Sequence, residues 1–167
     1  MIPRFEKLID RHHDEIFSFL WRLLGDARRT DVTLEVEDLV QEAFMRAYEA
    51  FPSLRQNSNH RAWLYRIAAN CAFTKLKNTK NRREKFAALT QWVAASEVSS
   101  ARAAMQGQLH AAVGQLSPKQ KACVTLRYFD DLDYSEIAEI VGCSEVSARA
   151  NVSQAIRRLR NALEEEK

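Results

Sequence analysis

The sequence predicts an all-α protein built from two small helical domains joined by a flexible linker, and three observations carry that expectation. Glycine and proline number only four and three, too few for the many tight turns of a strand-rich fold. Apolar residues recur at steps of three and four through long stretches, the period of an amphipathic helix. Helix-start signatures recur at Ser117-Pro118-Lys119-Gln120 and Asp133-Tyr134-Ser135-Glu136, each pairing a capping side chain with an acid or amide three residues on. With 46% hydrophobic residues among 167, the chain can fill a core.

A first helix is expected from about Phe5 to Leu24, where Phe5, Leu8, Ile9, His12, Ile16, Phe19, Leu20 and Leu23 form one stripe before Gly25-Asp26 ends it. The second spans about Glu35 to Phe51, with Val36, Val40, Ala43, Phe44 and Ala47 inward and Pro52 closing it. After a polar loop, Ser53 to Asn59, a third helix begins near Arg61, capped by Ser58 or Asn59, and buries Leu64, Ile67, Ala68 and Cys71. These make a first domain, residues 1–85. An apolar patch at Phe86, Leu89, Trp92 and Val93 is followed by an Ala- and Ser-rich stretch, so residues 86–104 are expected to link it to a second domain, 105–167. There Ser117 caps a helix with Pro118 in its first turn, where the missing N–H costs nothing.

The ending is the sharpest local pattern. Between Asp133 and Arg160 a short helix with Ile137, Ala138, Ile140 and Val141 leads through Gly142-Cys143-Ser144 into a long one. Small Ala138 lets two helices approach, Gly142 can adopt the left-handed turn, and Ser144 can cap the long helix, the requirements of a helix-turn-helix. That last helix turns Ala148, Val152, Ala155, Ile156 and Leu159 inward. Opposite them lie Glu145, Ser147, Arg149, Asn151, Gln154, Arg157 and Arg158, side chains suited to base edges and phosphates in a major groove.

The net charge of +3 is small, but its distribution is uneven. Arg61 to Lys85 carries eight basic residues against Glu84 alone, interleaved with Trp63, Tyr65 and Phe73. Aromatic faces stack on unpaired bases while cations hold the backbone, so single-stranded or distorted DNA is the ligand that this mixture suits. The second helix shows the opposite sign. Asp38, Gln41, Glu42, Met45 and Glu49 share an outward stripe that would repel DNA and suits a basic protein surface, with Met45 as an adaptable apolar contact.

Marks of enzymes are missing from the sequence: no H-E-x-x-H, glycine-rich phosphate loop, G-x-S-x-G elbow or zinc spacing. Neither a cofactor nor a small-molecule substrate is expected. His12 and His13 point to different helix faces without an obvious partner in the sequence. Cys71, Cys123 and Cys143 are odd in number and far apart, which fits thiols in a reducing cytosol rather than disulfides. The start carries no signal-peptide pattern and no stretch approaches membrane-spanning length, so a cytoplasmic protein not itself embedded in a membrane is expected.

In combination these segments resemble the sigma factors of bacterial RNA polymerase, of the compact extracytoplasmic-function type that keeps only regions two and four. Glu37-Asp38-Leu39-Val40-Gln41-Glu42-Ala43-Phe44-Met45-Arg46-Ala47-Tyr48 is similar to the family's polymerase-binding helix. Ala62-Trp63-Leu64-Tyr65-Arg66-Ile67-Ala68-Ala69-Asn70 resembles its promoter-melting helix, and Leu116-Ser117-Pro118 with Glu136-Ile137-Ala138 resembles region four. The resemblance implies that Asp38, Leu39, Gln41, Glu42, Met45 and Glu49 meet the clamp helices of the polymerase's largest subunit. Asn57, Asn59, His60, Arg61, Trp63, Arg66, Asn70, Lys75, Lys77 and Lys80 would hold the melted minus-ten element. Ser144, Glu145, Ser147, Arg149, Ala150, Asn151, Gln154, Arg157 and Arg158 would read the minus-thirty-five element, with region four also on the polymerase flap. Kinship further implies an anti-sigma partner. The alternative that the residues leave open is a conventional helix-turn-helix regulator that binds duplex DNA without polymerase.

Overall fold

The structure is a computed structural model describing residues 4–25, 31–55, 57–87 and 101–164, with side chains given for all of these except 83–87 and 101–106. Seven α-helices make up the described chain: α1 (Phe5–Leu24), α2 (Val32–Ala50), α3 (His60–Ala87), α4 (Ala101–Gly114), α5 (Pro118–Tyr128), α6 (Tyr134–Val141) and α7 (Glu145–Glu164), with a 3-10 turn at Phe51–Ser53 after α2. The first helix has the bounds that its stripe predicts. Three differences from expectation concern helix starts: α2 begins at Val32, α3 at His60 and α4 at Ala101. Val32 is itself buried, so the core reaches one turn further back along α2 than the sequence stripe suggested. Residues 86–87 and 101–104, expected in the linker, are helical, while Trp92 and its neighbours lie outside the described residues.

Helices α1, α2 and α3 pack on one another through stripes that exclude water: Leu8, Ile16, Phe19 and Leu20 from α1, Val36, Val40 and Ala43 from α2, Leu64, Tyr65 and Ala68 from α3. Alanines at 43, 47, 62, 68, 69 and 72 leave no side chain beyond Cβ between the axes, so the three helices approach closely. Gly25 ends α1 by donating to the carbonyl of Trp21 at 2.6 Å. A Cβ there would come within 2.5 Å of that carbonyl oxygen, so only glycine fits. Asn59 begins α3 as expected, its Oδ1 accepting from the N–H of Ala62 at 3.0 Å.

In the second half both capping boxes are formed. Ser117 accepts from the N–H of Gln120 and the Gln120 side chain accepts from the N–H of Ser117; Asp133 and Glu136 repeat the exchange. Gly142 takes φ 72° and ψ 50° at the end of α6, and Ser144 Oγ accepts from the N–H of Ser147 to start α7. Ile137, Ile140, Ala148 and Val152 close the angle between α6 and α7 over Leu126 and Cys123 of α5. Gln120 is almost wholly buried and does more than cap: its Nε2 donates to Gln154 and its Oε1 accepts from Arg158, which fastens α5 to α7.

The two halves also pack on each other. Helix α6 lies against α3 and α5 against α1, in one continuous apolar cluster. The ring of Tyr65 is fully buried beside Phe19, with ring centroids 5.1 Å apart, and its hydroxyl donates to Asp130 Oδ1 at 2.8 Å. Asp130 precedes Asp131, whose φ of 53° is the one positive value outside glycine among the described residues, in the tight turn between α5 and α6. Arg22 lies over the ring of Phe129 at 4.3 Å, and Asn59 donates to Glu136 at 3.5 Å.

Two of these positions have measurable consequences for stability. A Cβ on Gly142 would meet nothing within 4 Å, so the cost of Gly142→Ala is that of the left-handed backbone alone. Denaturant titration should show a loss of roughly 1–2 kcal/mol, and less for Gly142→Asn. Burial holds the Asp130 carboxyl above the ordinary carboxylate range, against the Tyr65 hydroxyl and the positive charges of Arg22 and Arg61. A raised folded-state pKa means that stability associated with the protonated group is present in acid and is lost as pH rises through that pKa. Asp130→Asn should remove this fall, measured as unfolding midpoints of the two proteins diverging as pH rises from about 4 towards neutrality.

Candidate nucleic-acid interface

Three surfaces carry the residues that the sequence singles out. On α2, Asp38, Gln41, Glu42, Met45 and Glu49 are all exposed along one side. Leu39 is a correction: only 3% of it is exposed, and it belongs to the core between the helices rather than to that outward face. Leu34 and Tyr48, not singled out from sequence, take its place, 67% and 64% exposed beside Met45 at 61%. Their spacing of three or four from Asp38, Gln41 and Met45 was the available signal. Glu42 pairs with Arg46 one turn on, at 2.5 Å, so the stripe is acidic with apolar centres and one internally balanced charge.

The second surface begins where α3 starts. Asn59, exposed, and His60 and Arg61, half-buried, line a cleft of about 540 Å³ with Lys7, Arg11, His12 and Ser58, while Asn57, Arg66 and Asn70 are exposed outside its lining. His60 Nε2 is buried there with no hydrogen-bond partner, an atom that a bound group can satisfy. Arg61 is held in place: its Nε donates to Glu15 at 3.0 Å, Glu15 also takes His12, and the guanidinium lies 5.4 Å from the Tyr65 ring centroid. His12 and His13 therefore do have carboxylate neighbours, Glu15 and Asp14, one turn and one residue away. Further along α3, Lys75, Lys77, Lys80 and Arg82 project into solvent. At 1.5 Å per residue the 28-residue helix is about 42 Å long, so these cations extend well beyond the cleft.

The aromatic residues of α3 divide. Tyr65 is no stacking platform, since its ring is wholly within the core and its hydroxyl is committed to Asp130. Trp63 and Phe73 are half-buried and pack partly against the core, leaving the remainder of each ring open.

The third surface is α7. Ser144, Glu145, Ser147, Arg149, Ala150, Gln154, Arg157 and Arg158 are exposed, Asn151 is half-buried, and Val146, which the sequence pattern did not single out, is 77% exposed on the first turn. Several polar groups are already engaged within the protein. Arg149 donates to Glu145 at 2.7 Å and lies over Tyr134 at 4.4 Å, and Gln154 and Arg158 share Gln120. Arg149 is thus pre-oriented at the amino end of α7, Ser147, Val146 and Ala150 stand uncommitted to another helix, and Gln154 and Arg158 first hold the helix to α5.

Chemistry of a catalytic kind finds no footing in the thiols. Burial raises the Cys71 pKa, and burial with Cys143 alongside pushes Cys123 up to about 12, so both stay protonated at neutral pH. Among the described residues no group of three or more His, Cys, Asp or Glu side chains could hold a metal, and no helix is long and apolar enough to cross a membrane.

Known proteins share this arrangement along the chain. Residues 8–83 match the family described as sigma-70 region 2, and residues 106–159 the family described as sigma-70 region 4. The RNA polymerase sigma-H factor of Pseudomonas aeruginosa is 27% identical, over 96% of this chain and 86% of its own. The ECF RNA polymerase sigma factor SigW of Bacillus subtilis is 28% identical, over 95% of this chain and 88% of its own. Among solved structures, the sigma factor RpoE of Bartonella quintana, crystallised with the anti-sigma factor NepR, superimposes with a TM-score of 0.70 at 22% identity, over 99% of this chain and 100% of that one. Region two first, region four second, and relatives of the same kind over nearly the whole length lead to one conclusion: the chain belongs to the extracytoplasmic-function sigma factors of RNA polymerase.

Proposed function

We propose that this sigma factor docks on core RNA polymerase through α2, holds the melted minus-ten strand at the start of α3, and reads the minus-thirty-five element as duplex with α7. The observation that carries this reading is the separation of charge by helix: an acidic and apolar face on α2, cations along α3, and a capped helix-turn-helix behind α7. DNA is repelled by the first and drawn to the second, so the two partners sort themselves onto adjacent faces of one small bundle.

On α2, Asp38, Gln41, Glu42 and Glu49 meet basic side chains of the clamp helices of the largest subunit, while Leu34, Met45 and Tyr48 supply the apolar contact at the centre, where interface energy concentrates. In the cleft of Asn59, His60 and Arg61, with Asn57 in the loop before it, an extruded base finds hydrogen-bond partners, His60 Nε2 among them. Trp63 stacks at its edge. Stacking of about 1–3 kcal/mol per base offsets part of the cost of unpairing. Arg66, Asn70, Lys75, Lys77 and Lys80 follow the backbone of that strand. Ser147, Arg149 and Ala150 reach base edges in the major groove, Val146 offers a surface to thymine methyl groups, and Ser144, Glu145 and Asn151 flank them. Gln154, Arg157 and Arg158 lie towards the phosphates, and region four rests on the polymerase flap.

The protein does no chemistry of its own and needs no cofactor: its effect is to bring two weak DNA sites to one enzyme, where each raises the effective concentration of the other. It works in the cytoplasm, where polymerase is. An anti-sigma factor that covers its polymerase-binding faces holds it inactive, as the pairing of the Bartonella protein with NepR suggests by analogy.

Run-off transcription tests the whole reading. Added to sigma-free core enzyme, the purified protein should give defined starts on cognate templates, and Asp38→Lys with Glu42→Lys should abolish both these starts and co-purification with core while leaving the helical circular-dichroism signal intact. Transcription undiminished in that double variant would remove α2 from the docking surface. Replacing Lys75, Lys77 and Lys80 with Ala should weaken single-strand binding and flatten its dependence on log salt by roughly 0.7 for each phosphate no longer neutralised. An unchanged slope would mean that those cations face only solvent.

A further inference from the structure

We propose that Tyr134 is a positioning residue for the reading of duplex DNA: its ring seats the guanidinium of Arg149 at the amino end of α7, and Arg149 so held selects a guanine at one position of the minus-thirty-five element. This deepens the reading of α7 given above and rests on it. Tyr134 is the first residue of α6, placed there by the Asp133 capping box, and it is half-buried against the core, so packing fixes its ring. Two guanidiniums from the flanking helices converge on that ring. Arg127, in the last turn of α5, lies 4.8 Å from the ring centroid, and Arg149 of α7 lies 4.4 Å from it. Each is tied a second time: Arg127 donates to the carbonyl of Leu132 at 2.9 Å, and Arg149 to Glu145 at 2.7 Å.

An arginine with 58% of its side chain in solvent, as Arg149 has, samples many rotamers unless something holds it. A guanidinium seated over a ring face keeps its N–H edges free, and Glu145 takes only one of its five N–H donors, so a pair of donors remains for an acceptor in front. Arg127 carries like charge on the same ring and disfavours rotamers that would turn Arg149 back towards α5. In the major groove, the acceptors that match a planar pair of donors are O6 and N7 of guanine.

The neighbouring residues of α7 do not share that task. Between residues 144 and 151 Arg149 is the one basic residue, beside Val146, Ser147 and Ala150, and further along Gln154 and Arg158 are engaged by Gln120. A two-point contact to guanine from the amino end of the helix therefore falls on a single side chain, and its aim depends on its seat.

The test uses the holoenzyme reconstituted with the full chain, and a library of templates randomised across both promoter elements, with transcripts counted by template sequence. The wild type should favour guanine at one upstream position, and Arg149→Ala should lose that preference. Tyr134→Leu keeps an apolar side chain in the packed position but offers no π face; it should lower the same preference about two- to fivefold and leave the preferences at other positions as in the wild type. Tyr134→Phe, which keeps the face, should retain the wild-type preference. Circular dichroism checks that each variant keeps its helices. Unaltered guanine preference in Tyr134→Leu, a loss of transcription spread evenly over all sequences, or a Tyr134→Phe protein as impaired as Tyr134→Leu would each overturn the role of the ring, with loss of preference in Arg149→Ala still supporting the reading by α7. A guanine preference that survives Arg149→Ala, or that the wild type lacks, removes base reading by Arg149 and this proposal with it.

Discussion

Tyr65 is the side chain on which the arrangement turns. It is the largest of the fully buried residues, and its ring fills the angle between α1 and α3 while its hydroxyl reaches an acid of the other half. A phenol is suited to that double duty because its body is apolar and its tip must find a partner when buried. Arg61, one turn earlier, lies over the same ring and is fixed by Glu15. The cleft at the start of α3 is therefore shaped in part from beneath, where Arg61 rests on a core ring, and in part by Glu15, which holds both Arg61 and His12.

Charge and burial divide the labour between faces. Glu42 and Arg46 balance each other on α2, and Arg149 is balanced by Glu145 on α7, whereas Lys75 and Lys77 stand out along α3 beyond the packed core. Exposed pairs of this kind contribute little to stability. Their effect is on presentation: a guanidinium held by a neighbouring carboxylate and a ring samples fewer rotamers, so less freedom is lost when it meets a partner.

Helix positions were legible wherever a single stripe was buried. The bounds of α1, the two capping boxes and the left-handed Gly142 all come from local rules, because period, cap and turn chemistry act within a few residues. Local rules could not reveal which outward-looking residue had a partner far along the chain. Tyr65 reads as a stacking aromatic until Asp130, 65 residues later, is set beside it. Leu39 sits next to Asp38 in a motif that reads as one surface, yet the stripe turns it inward. Gln154 and Arg158 have the chemistry of base and phosphate contacts, but a buried amide 34 and 38 positions earlier already occupies them. Such pairings depend on how helices cross, and a single sequence does not encode the crossing in any short window.

Gln120 shows what such a crossing does for the orientation of α7. One amide closes the first turn of α5 and grips two side chains on the far side of α7, so the rotation of α7 about its own axis is indexed to a hydrogen-bonded turn rather than left to greasy side chains that tolerate slippage. An α-helix advances about 100° per residue, and an error of a few tens of degrees would swap one base-facing side chain for its neighbour. For the proposed reading by α7, register is thus set by a buried residue of α5 rather than by the exposed face of α7 itself.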